Sequence, residues 1–131
     1  MAIHVYWDSN DPSIIRWEYQ DAWTWEQYHA AIDKSLTLST GHTERVDIIS
    51  DMRRAGAMPV SVASLHIKYS LLRAPQNFGI MVLVAPDPFV HAMITKLQMI
   101  MPDVRKRIHM VETMDDACAM IADMRERTGV A

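Results

Sequence analysis

The 131-residue chain has one cysteine, four glycines and two phenylalanines, and each shortage closes a route. With Cys118 alone there is no internal disulfide and no Cys-x-x-Cys pair for zinc or redox work, so a reducing, cytoplasmic setting is expected. The few glycines form no Gly-x-Gly-x-x-Gly, no P-loop and no Gly-x-Ser-x-Gly elbow, so neither a nucleotide-cradling loop nor any other cofactor site is expected. The longest apolar stretch, Ile80 to Pro86, is far short of the about 20 residues that span a bilayer. Met1 to Val5 lacks the basic flank and apolar core of a secretory leader, so none is expected. A net charge of −3 argues against a general nucleic-acid binder.

What is present is the balance of a globular protein, half hydrophobic and 22% charged, at a length suited to one domain over residues 1–131. The charges are uneven. Met1 to Asp51 holds three basic and nine acidic residues, whereas Met52 to Arg107 holds eight basic (Arg53, Arg54, Lys68, Arg73, Lys96, Arg105, Lys106, Arg107) and two acidic (Asp87, Asp103). If both halves share one sheet, these charges mix over its surface.

Ile3, Val5 and Trp7 alternate with His4 and Tyr6, and Ile15, Trp17 and Tyr19 alternate with Arg16 and Glu18, with turn formers between them. The chain therefore opens with a hairpin. Thr24-Trp25-Glu26-Gln27 is a capping box, and Trp25, Tyr28, Ile32 and Leu36 give the first helix an apolar face that stops near Gly41. Val46 to Ser50 is a strand, and the helix after its loop presents Val62, Leu65, Tyr69 and Leu72 inward. Phe78 to Val84 is apolar throughout, as a strand covered on both faces requires. Asp87-Pro88 caps a helix that buries Phe89, Met93, Leu97 and Met101 and ends at Pro102. Ile108 to Val111 is the last strand, and Thr113 starts a helix with Ala117, Met120, Ile121 and Met124 facing inward. The fold class is α/β in the order β-β-α-β-α-β-α-β-α: a mixed, mostly parallel five-stranded sheet with helices packed against it.

This element order, and the segment Val46-Asp47-Ile48-Ile49-Ser50-Asp51 followed by a Gly-containing loop and a helix, resemble the STAS fold of anti-sigma-factor antagonists, in particular its divergent bacterial branch. The resemblance covers nearly the whole chain and implies a regulatory, protein-interaction domain. In the switching antagonists an Asp-Ser-Ser/Thr-Gly motif carries a phosphorylated serine after that strand. Here the stretch is Asp51-Met52-Arg53-Arg54-Ala55-Gly56, without the acceptor. The nearest hydroxyls are Ser61 and Ser64. Ser61 is the candidate phosphorylation site, where phosphate would meet free helix amides, although serine also caps helices there.

The residues leave three functions open. The first is a non-enzymatic interaction domain whose contact surface is Asp51, Met52, Arg53, Arg54, Met58, Ser61, Ser64 and Lys68. The second is a binder of a small lipophilic anion or lipid between the helices, its head group meeting Arg53, Arg54, Lys68 or Arg73. The third is an enzyme using Asp47, Asp51 and a histidine; no triad supports it, and no catalytic residue is assigned. His4, His29, His42, His66, His91 and His109 form no His-x-x-x-His pair, so no metal site is expected. Cys118, between two alanines, is expected to be a small buried residue. The four tryptophans, all within the first 25 residues, suggest a shared aromatic core, with Trp23 at its rim. Ten of eleven methionines lie from Met52 onward. With the helix from Phe89 apolar on more than one face, they suggest a second packing partner, most economically a second copy of the chain.

Overall fold

The structure, a computed structural model, describes residues 2–59 and 63–128. Its elements are β1 (Ile3–Trp7), β2 (Ile14–Tyr19), α1 (Trp25–Ser39), β3 (Val46–Asp51), α2 (Ala63–Leu72), β4 (Phe78–Val84), α3 (Pro88–Ile100), α4 (Pro102–Arg107), β5 (Ile108–Val111) and α5 (Met114–Arg127). The five strands lie in sequence order, with β1 antiparallel to β2 and every later pair parallel. Since right-handed crossovers that all advance one way must lie on one face, α1 to α4 form a single layer. Their buried side chains share a core with Ile15, Trp17, Ile48 and Leu83. On the other face, α5 packs Ala117 and Ile121 against Ile14, Ile49, Ile80, Val82 and Val84.

The local signals act as their chemistry dictates. Thr24 and Gln27 exchange both bonds of the capping box. Asp87 accepts from the Val90 amide with Pro88 in the first turn, and Thr113 accepts from Asp116. β4 is paired on both sides and covered by helices on both faces.

Four packing expectations change. On α2 the residues Leu65, Tyr69 and Leu72 are 61%, 53% and 74% exposed, and Ile67 is the buried one; Val62 and Ser61 lie outside the described residues. On α3 the buried residues are Val90, Ile94 and Leu97: Leu97 is as expected, Met93 and Met101 are only partly buried against the core, and Phe89 is exposed. Pro102 does not only end α3. It opens α4, a short helix absent from the expected order, because proline suits a first helical turn and Val104 anchors that turn in the core. Cys118 is exposed, because Ala117 and Ile121 take the buried face of α5.

The connection after β3 is pinned to the one after β2. The Asp21 amide donates to the Arg54 carbonyl and the Gly56 amide to the Asp21 carbonyl, at 2.9 and 2.6 Å. Gly56 is needed there, because a Cβ would stand 2.7 Å from the Ala22 nitrogen. This tie holds Trp23, Met52 and Met58 in the core at the end of the sheet.

Candidate functional site

The two aspartates of β3 are structural groups. Asp47 is fully buried. Between Val46 and Ile48 the β3–β4 register shifts, so that Gly79 and Ile80 face the single residue Asp47. Its carboxylate fills that irregularity, accepting from the Ile80 amide (2.8 Å), from Arg45 Nε (3.0 Å) and, through its other oxygen, from Arg125 Nε (2.8 Å). Arg125 also reaches Asp11 (3.1 Å) and the Ser13 carbonyl (3.3 Å), which ties α5 to the hairpin turn. Asp51 lies on the same sheet face and accepts two side-chain bonds and one backbone bond from Arg53. The Arg53 hydrogen bond holds the Asp51 carboxyl below its ordinary range despite burial. With their oxygens committed in this way, neither aspartate is arranged as a general acid or base.

Of the sequence-derived contact surface, Met52 and Met58 are buried and Arg53 is engaged by Asp51. Arg54, Ser64 and Lys68 are exposed. Ser61 lies outside the described residues.

The larger opportunity is beneath α2. This helix touches α1 and α4 and buries Ile67 in the core on that face of the sheet. Under it, against α1, lies a cavity of about 70 Å³ walled by Trp17, Ile32, Ile48, Leu71 and Phe78, among others, with Arg73, Ala74 and Pro75 at the end of α2. A second void of about 30 Å³ lies between the sheet, α2 and α3, and Tyr28, Met81 and Ile108 belong to both walls. The space anticipated between the two apolar helices is this smaller one. The larger lies on the α1 side.

The polar groups of the larger wall are mostly satisfied within the chain. The Trp17 indole donates to Ser35 (2.8 Å), which donates to the Ala31 carbonyl (2.9 Å). Tyr28 donates to Ser70 (3.0 Å), which donates to the Ile67 carbonyl (2.7 Å). Burial pushes the Tyr28 hydroxyl up to about 12, so it remains a neutral donor. Among the described residues the cavity thus offers a largely apolar interior with one cation, Arg73, at its rim. Arg73 pairs with the exposed Asp33 of α1, and Arg107, stacked 5.5 Å over Phe78, lines the adjoining depression.

α1 grips α2 through three polar pairs: Tyr28–Ser70, Asp33–Arg73, and His29–His66, whose ring nitrogens are 2.7 Å apart. Histidines 37 positions apart meet here, which local spacing could not reveal. His66 stacks on Trp25 at 4.5 Å, and Tyr28 and Tyr69 pack edge-on against His29. One ring must donate and the other accept, so protonating both breaks the pair. Burial lowers the His29 pKa, aided by His66 and Arg73 and opposed by Asp33. A lowered folded-state value makes this contribution complete above the unfolded histidine pKa of about 6.5 and lost as pH falls through the folded value. Hydrogen exchange should therefore show α2 amides keeping their protection above about pH 6.5 and losing it as the pH falls below that, while α5 amides keep theirs. Equal behaviour in His29→Gln would remove the pair as the cause.

No family model matches the chain, and no curated protein matches it.

Proposed function

We propose that this chain is a non-enzymatic binding domain that takes a small lipophilic anion beneath α2, its apolar body against Trp17, Ile48 and Phe78 and its charged end at Arg73. One observation carries this reading: the largely apolar cavity of about 70 Å³ enclosed between α1, the end of α2 and the sheet. Such a volume exceeds the roughly 10–15 Å³ that one water needs, and an apolar wall leaves water few partners there. Strands in sequence order also create no switch point at the sheet's carboxyl end, the usual crevice of open α/β sheets, so a space between layers is the better candidate. Arg73 is the member of the anticipated head-group set that adjoins the void.

Native mass spectrometry of freshly purified protein tests it. A retained adduct of a few hundred daltons or less is expected, and Ala74→Trp, which plugs the mouth at a half-exposed position, should abolish it. Repeated clean spectra of the unmodified chain would count against the proposal.

A second reading, self-association, is favoured by the outer stripe of α2. Leu65, Tyr69 and Leu72 recur at helical spacing and are more than half exposed, an unusual concentration of apolar surface for a free helix. Light scattering after size exclusion should give twice 15.0 kDa for the unmodified chain and 15.0 kDa for Leu72→Glu. A concentration-independent 15.0 kDa species from the unmodified chain would dismiss the dimer.

A further inference from the structure

We infer that the outer face shared by α2 and α3 docks on an anionic lipid surface, with apolar side chains of both helices entering the headgroup boundary and the lysines among them reaching the phosphates. This goes beyond the cavity reading and does not depend on it.

Six of the seven large apolar residues exposed among the described residues lie on these two helices: Leu65, Tyr69 and Leu72 on α2, and Phe89, Met99 and Ile100 on α3. The seventh, Tyr6, is tied to Glu18 in the hairpin. Both helices build their exposed row in the same way. Leu65, Lys68 and Leu72 recur at spacings of three and four, as do Phe89, Met93, Lys96 and Ile100, so an exposed lysine stands inside each apolar row.

The two rows converge. α2 turns His66 and Ser70 to α1, so Leu65, Lys68 and Leu72 lie on its opposite flank, toward α3. α3 turns Gln98 to the Ile108 carbonyl of the edge strand and Met93 to the void it shares with Ile67 of α2, so its own row lies on the flank toward α2. Since α1 to α4 form one layer over the sheet, both rows open on the same side of the molecule.

The charge of this ground selects the occupant. Neither α2 nor α3 contains an acidic residue. Residues 63–107 hold six basic and two acidic residues, a net of +4, whereas α5 on the far face holds four acidic and two basic. Lys68, Lys96, Arg105 and Lys106 form no ion pair among the described residues. The molecule is thus polarised, and the apolar rows sit on its positive side. A protein partner would bury the two ammonium groups that stand within the rows, and lysine is depleted from the cores of protein interfaces. An anionic bilayer imposes no such cost. The leucine, isoleucine and phenylalanine side chains enter the headgroup boundary, while each lysine lays its stem along them and extends its charge to the phosphates.

The test is co-sedimentation of the full chain with vesicles of phosphatidylcholine alone and of equal parts phosphatidylcholine and phosphatidylglycerol. Partitioning onto the anionic vesicles should be at least about tenfold stronger and should weaken as salt is raised. Ile100→Ser, which keeps every charge, should lower it by about fivefold or more, and Lys68→Gln combined with Lys96→Gln by a similar factor. Both variants should melt with the unmodified chain, because the changes fall at exposed positions. Anionic partitioning that ignores Ile100→Ser would be charge adhesion alone and would overturn docking by the apolar rows. Absence from both vesicles, or equal partitioning onto both, would overturn it as well. Absence accompanied by a dimer in light scattering would assign the α2 row to a second copy, and none of these results touches the cavity beneath α2.

Discussion

Asp47→Ala is expected to destabilise the protein by about 3–5 kcal/mol, a large part of the 5–15 kcal/mol typical of a domain. The size follows from what is left behind. Arg45 and Arg125 are both about 15% exposed, and with Asp47 gone Arg45 loses its counter-charge, Arg125 keeps only the partly exposed Asp11, and the Ile80 amide loses its acceptor. Removing one member of a buried pair is far worse than removing both, because the survivor cannot be rehydrated. Asp47→Asn should fall between, keeping an acceptor for Ile80 but no charge. Urea unfolding measures the loss. A midpoint unchanged in Asp47→Ala would show that the carboxylate is not structural and would reopen it as a functional acid. Gly79 belongs to the same device, since a Cβ there would overlap the Asp47 carboxylate and the Arg45 guanidinium.

The second large effect is expected at Trp17. It is 1% exposed, packs edge-on against Tyr28 at 5.6 Å and forms part of the cavity wall. Trp17→Ala should cost about 3–5 kcal/mol, the usual range for emptying an aromatic position in a core. Unlike the loss at Asp47, it should be partly reversible by ligand. The deleted ring leaves an indole-shaped extension of an existing void, so saturating indole should raise the melting temperature of the variant by mass action and leave the unmodified protein nearly unaffected. Destabilisation without indole rescue would mean that the emptied space collapses.

The contrast between these two sites shows what the sequence conveyed. Period-two alternation in Ile3 to Trp7 and Ile15 to Tyr19, the Thr24 capping box and Asp87-Pro88 are local signals, and each element they announce is present. α2 was misoriented because both of its stripes are apolar: Ala63, Ile67 and Leu71 on one side and Leu65, Tyr69 and Leu72 on the other, so periodicity could not choose between them. On α3 the same ambiguity moves burial from Phe89 to Val90 and from Met93 to Ile94, while Leu97 is buried as expected. Pro102 carried two meanings, terminator and first helical residue, and α4 realises the second. The site was less legible. Arg73 was among the anticipated head-group residues, but a void arises from what fails to touch, and no residue encodes it. The His29–His66 pair is likewise a long-range product of the topology.

Methyl NMR of the full chain titrated with hexanoate is the most direct examination of the cavity beneath α2. Saturable shifts are expected at Ile32, Ile48 and Ile108, inside the wall, together with the Arg73 side-chain N–H at the rim. Shifts confined to the exposed Leu65 and Leu72 methyls, with those interior signals unmoved, would place hexanoate on the outside of the helix and contradict a ligand site beneath it.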